Sequence, residues 1–417
     1  MVSIKALSSA TLGNVSFLFL MSLATSSLLA RTTLASPALS NSVLNMSSKP
    51  ATSPKRNQFN VLVTDYDLTL SVEDTTYIIG HVVEQARGTD PIVINPGDKD
   101  GNGRVLANLE YFTKEYYKDY EQFQKKYEQM FEDRVKQGQQ WTKDWLYEYC
   151  EGSLSVEEAS IKRLEKYDYL AGATHKQLYR GGAKNATLQK NSVYALSKIW
   201  DINHQHHHHH HDKNHPKDHC KSPGNSKGVV DPIAVLSVNW SKDMLQGSLD
   251  ATFNKLRSTF ESTSSGFHIK HIEQVEKSLK TLPYSNPDLS FDPATGKSTG
   301  KISRELFTGV DKLNEFRRIR GQYQKKLGIT NADKDNNSPD LKFAFAGDST
   351  TDLLCILEPQ VIGILVGNST SVRAWLDRLQ VPLVPFADLE SNKLCKNKCV
   401  YQLDDWANVP KFFSPKH

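Results

Sequence analysis

Four continuous apolar runs constrain the fold of this chain more than any other feature. They are VLV at 61–63, PIAVLSV at 232–238, LKFAFA at 341–346 and VIGILVG at 361–367. None of them alternates apolar with polar residues, so each predicts a strand that is buried on both faces, as in a parallel sheet covered by helices. Helix-like stretches such as 241–260 follow the runs as crossovers. The sequence therefore predicts an α/β fold with a doubly wound parallel sheet.

The interval 76–227 separates the first predicted strand from the second and has a different character. It is dense in Tyr, Glu, Lys and Gln, for example between 111 and 135, and it contains little strand signal. It predicts a helical insertion into a core formed by 58–75 and 228–410. Within it, Trp141, Trp145 and Tyr149 have the spacing of one aromatic stripe on a helix. Packing inside the insertion is the favoured use of this stripe, and a platform for substrate is the alternative.

A histidine-rich tract lies near the end of this insertion. Nine of the sixteen residues from His204 to His219 are histidine, and Asp, Lys, Asn and Pro accompany them. Imidazole is a common metal ligand, so a metal-binding tract is one interpretation. Polar homopolymer tracts are usually solvated loop expansions, and this second interpretation is favoured.

The first 57 residues have the composition of a targeting segment. No Asp or Glu occurs before residue 65, and Ser, Thr, Ala and Leu dominate. The apolar run at 17–30 is broken by Ser and Thr and is short for a bilayer span of about 20 residues, so no stable membrane span is expected. The Ser-rich, acid-free composition favours a mitochondrial presequence, and the apolar centre favours a secretory signal. Five cysteines spread over the chain form no disulfide framework, which favours the mitochondrion. A start at Met46 would give a cytoplasmic product.

Two pairs of acids follow predicted strands. Asp65 and Asp67 come directly after the first run, and alternate residues of a strand point the same way. Asp348 follows the run at 341–346, and Asp352 lies near the start of the next predicted helix. The carboxyl ends of parallel strands form one edge of a sheet, where ligands bind. Carboxylates brought together there form the oxygen-rich site that Mg²⁺ prefers.

A hydroxyl and an ammonium group complete an ordered set of motifs. Ser237 lies near the end of the second run, and Lys312 lies in the helix-like stretch GVDKLNEFRRI. The order D-x-D-x-T, Ser, Lys and G-D-x-x-x-D resembles that of the haloacid-dehalogenase (HAD) superfamily of phosphatases over about 59–390. The stretches DYDLT, VLSVNWSKDML, STGKI, VDKLNEF and GDSTTDLLCIL are similar at finer grain to the phosphatase domain of plant thiamine-monophosphate phosphatases. The chain departs from those proteins in its His-rich insertion and in lacking their thiaminase-like domain.

The resemblance implies a role for each motif residue. Asp65 would be the nucleophile that forms an aspartyl-phosphate, and Asp67 the acid that protonates the leaving oxygen and then activates water. Ser237 and Lys312 would hold the phosphoryl oxygens. The implied Mg²⁺ ligands are Asp65, Asp67, Asp348 and Asp352, with Asp67 contributing its backbone carbonyl. The implied substrate contacts are Thr69, Ser237, Asn239, Trp240 and Lys312. The insertion would be the cap that closes over the site and selects the substrate.

The expected activity is Mg²⁺-dependent hydrolysis of a small phosphomonoester, with thiamine monophosphate as the candidate substrate. Phosphoserine or phosphocholine is the alternative substrate, and a non-catalytic binding protein of the same fold is the alternative class. With 51 basic and 47 acidic residues, a net charge of +4 calls for no nucleic-acid partner. The expected partner is therefore a small phosphate ester.

Overall fold

A computed structural model describes most of the chain. The described residues are 58–88, 93–94, 105–106, 108–208, 231–262, 269–303, 306–327, 340–389 and 399–413. The predicted targeting segment, 1–57, and residues 209–219 of the His-rich tract lie outside them. Residues 204–208 form the end of a helix.

The helices and strands of the described residues alternate at the two ends of the chain, whereas helices dominate its middle. The strands are β1 (Gln58–Thr64), β2 (Val93–Ile94), β3 (Val105–Leu106), β4 (Ala171–Thr174), β5 (Ile233–Leu236), β6 (Tyr284–Ser285), β7 (Leu289–Phe291), β8 (Lys297–Ile302), β9 (Asp340–Gly347), β10 (Val361–Val366), β11 (Leu383–Pro385) and β12 (Val400–Leu403). The helices are α1 (Thr76–Arg87), α2 (Leu109–Lys136), α3 (Lys143–Gly152), α4 (Leu154–Lys166), α5 (His175–Asn185), α6 (Ser192–His208), α7 (Lys242–Ser262), α8 (Ile269–Lys280), α9 (Gly309–Lys326), α10 (Thr350–Ile356), α11 (Thr370–Arg378) and α12 (Pro410–Phe413).

The main sheet has seven strands in the order β11-β12-β10-β9-β1-β5-β6. Every neighbouring pair in it is parallel. The four predicted strands are the four central ones, β10, β9, β1 and β5, so the predicted α/β class with a parallel sheet is confirmed. The short edge strands β6 and β11, and β12 beside β11, carry weaker apolar patterns, and the sequence did not predict them.

The central strands are buried on both faces, as their apolar runs predicted. On β1, Leu62 belongs to one hydrophobic cluster, and its neighbours Val61 and Val63 belong to the other. All three are fully buried. Successive side chains of a strand point to opposite faces, so the two clusters are the two helix-covered layers of the sheet.

Six helices, α1 to α6, occupy the described part of the interval between β1 and β5. Their association with the rest of the chain is close at two points. Strand β4 pairs antiparallel with β8. Helix α5 crosses α7 so tightly that a Cβ on Gly182 would lie 2.0 Å from the carbonyl oxygen of Met244, and one on Gly247 would lie 2.0 Å from that of Tyr179. These two glycines allow the backbones of the two helices to touch.

No helix in the described ranges combines the length and apolar content needed to cross a membrane.

Candidate active site

A cavity of about 490 Å³ opens at the carboxyl edge of the main sheet. One end, which we call the sheet end, is lined by residues that follow β1, β5 and β9. The other end, which we call the cap end, is lined by residues of α2, α3 and α4 and by the segment after α4. The sheet-end residues used below are Asp65, Asp67, Asn239, Trp240, Asp348 and Ser349. The cap-end residues are Phe112, Tyr116, Tyr120, Tyr149, Glu157 and Tyr169.

Asp65 lies where β1 ends. Its backbone N–H donates to the carbonyl of Ala346 in the neighbouring strand β9 at 2.8 Å, which fixes the residue at the sheet edge. Its Oδ1 lies 2.9 Å from Nζ of Lys312. The same oxygen accepts no well-directed hydrogen bond, so this contact is an ion pair. Burial raises the pKa of Asp65 to about 7; Lys312 opposes this rise, and Asp352 and Asp67 add to it.

Asp67 is held by a different set of donors. Its Oδ1 accepts from the backbone N–H of Thr75 at 2.7 Å and from the Thr75 hydroxyl at 2.6 Å. Its Oδ2 accepts from Nδ2 of Asn239 at 3.0 Å. Burial raises the pKa of Asp67 to about 7, and the charge of Asp74 adds to the rise, whereas the bonds from Thr75 and Asn239 oppose it. The carboxylate is thus oriented without contacting Lys312.

Asp348 and Asp352 approach Asp65 from the end of β9. Carboxylate oxygens of the three residues lie within 4.8 Å of one another, and all three side chains are buried. Asp348 Oδ1 accepts from the hydroxyl of Thr69 at 2.8 Å. Burial, followed by the charges of Asp352 and Asp65, raises the pKa of Asp348 well above its usual value. The close approach requires Gly347, because a Cβ there would lie 2.4 Å from Cβ of Asp352.

Asp352 also caps its own helix. Its Oδ2 accepts from the Ser349 hydroxyl at 2.7 Å and from the Ser349 and Asp348 backbone N–H groups at 3.1 and 3.2 Å. Its Oδ1 accepts from Nζ of Lys312 at 2.7 Å. One side chain therefore links the start of α10 both to the end of β9 and to Lys312.

Lys312 is the cation of the sheet end. It is fully buried and pairs with both Asp352 and Asp65. Burial alone would lower the pKa of Lys312, but the two carboxylates outweigh burial and raise it, so the side chain stays charged. Its position follows from the start of α9, where Thr308 and Asp311 form reciprocal cap bonds.

The remaining predicted residues take different places around the sheet end. Asn239 and Trp240 line the cavity. Ser237 is fully buried and lies outside the lining, with its hydroxyl oxygen accepting from the backbone N–H of Asn239 at 3.2 Å. Thr69 is also buried behind the lining, where it donates to Asp348. The structure thus groups the predicted residues at one edge, with Ser237, Thr69 and Lys312 beneath the acids.

The predicted aromatic stripe divides between two uses. Trp145 stacks on Phe131 with ring centroids 5.3 Å apart, and Trp141 meets Trp375 edge-on at 5.4 Å. Neither Trp lines the cavity, so packing is the use of both. Tyr149 does line it. A substrate contact by Trp145 is therefore wrong, because Phe131 covers its ring.

Sequence reasoning missed two features of the cavity. Thr75 holds Asp67, and its place just before α1 was the signal that could have found it. Glu157 lines the cap end and accepts from the Tyr116 hydroxyl at 2.9 Å through Oε1. Burial raises the pKa of Glu157 to about 7, and the bond from Tyr116 opposes the rise. Helical spacing could have found Glu157, because Ile161 and Leu164 follow it on one face of α4, whereas Glu158 is followed at the same spacing by Lys162.

Two curated proteins are similar to this chain. A CTO1 family protein of Schizosaccharomyces pombe (strain 972 / ATCC 24843) is 26% identical over 273 residues, which cover 63% of this chain and 77% of that protein. The bifunctional TH2 protein, mitochondrial, of Arabidopsis thaliana is 34% identical over 88 residues, which cover 21% of this chain and only 13% of that protein. No family model matches the chain.

The solved structures that align with most of this chain resemble it only weakly. A phospho-aspartyl intermediate analogue of phosphoserine phosphatase has a TM-score of 0.35 and 13% identity, over 76% of this chain and 91% of that chain. A HAD family hydrolase from Salmonella enterica has a TM-score of 0.34 and 10% identity, over 76% and 66% of the two chains. At TM-scores this low, no correspondence of individual residues follows.

Proposed function

We propose that the protein is a Mg²⁺-dependent phosphatase of the HAD type, which hydrolyses a small phosphomonoester through an aspartyl-phosphate. The observation that carries this proposal is the sheet end itself. One carboxylate, Asp65, lies in a cluster with two other acids, and a second, Asp67, is held apart from that cluster by Thr75 and Asn239. Such a pair can divide the roles of nucleophile and proton carrier.

The donors of the sheet end fit a divalent cation. Asp65, Asp348 and Asp352 offer only carboxylate oxygens, which are the ligands that Mg²⁺ prefers. Oδ1 of Asp65 is paired with Lys312 but accepts no directed hydrogen bond, so this carboxylate retains lone pairs for a divalent cation. Asp65 and Asp348 would bind the ion directly, and Asp67 would contribute its backbone carbonyl. Asp352 would support the site by holding Lys312 and the start of α10 in place. A bound Mg²⁺ would neutralise the phosphate oxygens.

The proposed first step forms a bond between a carboxylate oxygen of Asp65 and phosphorus while the bond from phosphorus to the ester oxygen breaks. The leaving oxygen takes the proton of Asp67. Burial and the charge of Asp74 raise the pKa of Asp67, which favours the protonated form that a proton donor requires. In the second step Asp67 takes a proton from a water molecule, and this water attacks phosphorus and restores the carboxylate of Asp65. The products are the alcohol and inorganic phosphate.

The proposed supporting contacts follow from the positions around the acids. Lys312 would balance the charge of Asp65 during attack, because its Nζ lies 2.9 Å from that carboxylate. Asn239 and Trp240 would touch the substrate from the cavity wall. Ser237 and Thr69 would act from beneath, through Asn239 and Asp348.

Thiamine monophosphate is the proposed substrate. The support is the likeness of short stretches to plant thiamine-monophosphate phosphatases and the 34% identity over 88 residues to the TH2 protein. Trp240 lines the cavity and offers a ring to the flat, cationic leaving group of this ester.

The test is a set of parallel kcat/KM measurements on thiamine monophosphate, phosphoserine and phosphocholine, in Mg²⁺ and in excess EDTA. We expect activity only with Mg²⁺ and the highest kcat/KM for thiamine monophosphate. Higher kcat/KM for phosphoserine or phosphocholine would reject the substrate but keep the phosphatase. No hydrolysis of any ester with Mg²⁺ present would favour a non-catalytic binding protein.

The proposed domains are a core of 58–75 and 228–410 and a cap of 76–227. The main-sheet strands come from the core ranges, and α1 to α6 come from the cap range. Expression of 76–227 alone, followed by circular dichroism and thermal unfolding, would test the boundary. The tight crossing of α5 on α7 predicts that this fragment is less stable than the same helices in the whole chain.

We propose a mitochondrial location, directed by residues 1–57. The name of the TH2 protein, mitochondrial, supports it. Cys399 is disulfide-bonded, and disulfides are typical of oxidising compartments, so the secretory alternative also has support. Fusing residues 1–57 to a fluorescent protein tests the two, because they predict different organelles.

A further inference from the structure

The cap end of the cavity differs in chemistry from the sheet end. Its walls are largely aromatic, and its tyrosines are linked to one another. The rings of Tyr116 and Tyr120 stack with centroids 6.0 Å apart and an interplanar angle of 18°. The hydroxyls of Tyr120 and Tyr149 lie 3.2 Å apart. Phe112 and Tyr169 pack together at 4.6 Å on the same end. The cap end therefore offers aromatic surface held in place by neighbouring rings.

One carboxylate lies among these rings. Glu157 Oε1 accepts the Tyr116 hydroxyl at 2.9 Å, and the side chain lines the cavity. No ion pair to Glu157 is present in the described part of the chain. Its neighbour Glu158 points elsewhere and pairs with Lys162 at 2.6 Å on the surface. Glu157 is half-buried, and a carboxylate that loses part of its hydration without gaining a cation is destabilised unless a ligand supplies the positive charge.

The negative charge of the cavity lining also favours a cationic ligand. Every charged side chain among the described lining residues is acidic: Asp65, Asp67, Asp74, Glu157 and Asp348. At the sheet end, Lys312 and the proposed Mg²⁺ would balance the charge of the acids, and the Mg²⁺ would bind the phosphate. At the cap end, the described residues provide no such balance. The leaving group of the ester is the part that would reach this end, since both ends belong to one cavity.

We infer that the cap end binds a permanently cationic organic group, such as a quaternary ammonium or a thiazolium, with Glu157 as the counter-ion and Tyr116 and Tyr120 as the aromatic walls. This inference rests on the proposed phosphatase function for its placement of the phosphate. It makes Glu157 a residue that determines specificity and takes no part in the bond changes at phosphorus. Aromatic faces and a carboxylate together attract a cation far more than a neutral group of the same shape.

The test compares phosphocholine with its neutral isostere, in which a tert-butyl group replaces the trimethylammonium group. The two esters have the same shape and differ in charge. We expect kcat/KM to favour phosphocholine by roughly three- to thirtyfold, which corresponds to the usual strength of a cation–aromatic contact. In Glu157→Gln this preference should fall to the smaller part that the rings of Tyr116 and Tyr120 supply without a counter-ion. Glu158→Gln, which removes the same charge one residue away, should keep the preference of the unchanged protein.

A binding measurement separates this inference from the proposed activity. Calorimetric titration of the unchanged protein with choline and with the matching neutral alcohol needs no catalysis. Tighter binding of choline, together with its reduction in Glu157→Gln, supports the cation site even if no ester is hydrolysed. Equal binding of the two alcohols overturns the inference and leaves the phosphatase proposal intact. Retention of the full preference in Glu157→Gln also overturns it. The comparison in the unchanged protein remains decisive if the Gln variant does not fold.

Discussion

The two ends of the cavity differ in how many protein groups bind their carboxylates. At the sheet end, Asp67 accepts three hydrogen bonds and Asp352 accepts four, and Lys312 pairs with two acids. At the cap end, Glu157 accepts one hydrogen bond, from Tyr116. The sheet end is thus organised before any ligand arrives, as a site for one fixed reaction requires. At the cap end, the carboxylate of Glu157 would gain its counter-ion from the ligand.

The largest expected effect comes from breaking the sheet end at Asp65. Asp65→Asn preserves the shape of the side chain but removes the proposed nucleophile. We expect kcat to fall by several orders of magnitude, on the order of a thousandfold or more, because water must then attack the ester without the covalent intermediate. Steady-state phosphate release measures this change.

The matched control for Asp65→Asn is Asp377→Asn, which makes the same change on an exposed position of α11. It should leave kcat unchanged. Phosphate release by Asp65→Asn at the unchanged rate, with the fold intact by circular dichroism, would remove Asp65 from the nucleophile's role.

The second expected effect separates two acids of the same cluster. Asp348→Ala should raise the Mg²⁺ concentration needed for half-maximal activity by roughly tenfold or more, because a direct ligand is lost. Its free energy of unfolding without metal should change by only about 1 kcal/mol. Removing an acid beside Asp65 and Asp352 relieves repulsion, and this gain offsets the lost bond from Thr69.

Asp352→Asn is the comparison for Asp348→Ala. Its oxygens already hold Lys312 and the start of α10, so the substitution should cost more stability than Asp348→Ala and should change the Mg²⁺ requirement less. Mg²⁺ titrations of activity and urea unfolding of both variants measure the two quantities. The reverse order in either measurement would contradict the proposed division between ligand and support.

The difference between the two ends also decides how much the sequence could predict. Asp65, Asp67 and Asp348 follow apolar strands, and parallel strands bring their carboxyl ends to one edge regardless of loop details. Their grouping was therefore predictable. The cap end depends on how α2, α3 and α4 pack. Helical spacing places Glu157 on the apolar face of α4, but it does not say which rings of the other two helices meet that face. The stripe from Trp141 to Tyr149 shows the same limit, because Trp141 lies before the first residue of α3.

The third expected effect concerns stability at the cap end. Burial raises the pKa of Glu157 from its usual 4.5 to about 7. The folded protein therefore retains this proton at pH values where the unfolded chain has lost it, so the stability of the unchanged protein falls as pH rises from about 4.5 to 7. Glu157→Gln lacks this loss. At pH 8 it should be more stable without ligand by about 2 kcal/mol, and near pH 4 by nearly nothing.

Urea unfolding at pH 4 and pH 8, in the absence of ligand, measures the Glu157→Gln effect. Glu158→Gln is the control and should change stability by less than about 0.5 kcal/mol at either pH, because its ion pair with Lys162 is exposed. A loss of stability in Glu157→Gln at pH 8 would mean that a positive group of the protein already balances the carboxylate. The cap end would then resemble the sheet end.

The smallest expected effect comes from a segment that belongs to neither end. Helix α6 runs to His208, so deletion of 209–219 removes the rest of the His-rich tract without cutting the helix. Lengthening or shortening a polar connection changes its closure free energy by only about 0.6 kcal/mol per doubling of length. We expect kcat/KM, the Mg²⁺ requirement and the preference for phosphocholine over its neutral isostere to stay within about twofold of the unchanged protein. A changed Mg²⁺ requirement would connect the histidines to the sheet end, and a changed preference for the cation would connect them to the cap end. Unchanged values for both would leave the two ends of the cavity as the sources of chemistry and selectivity.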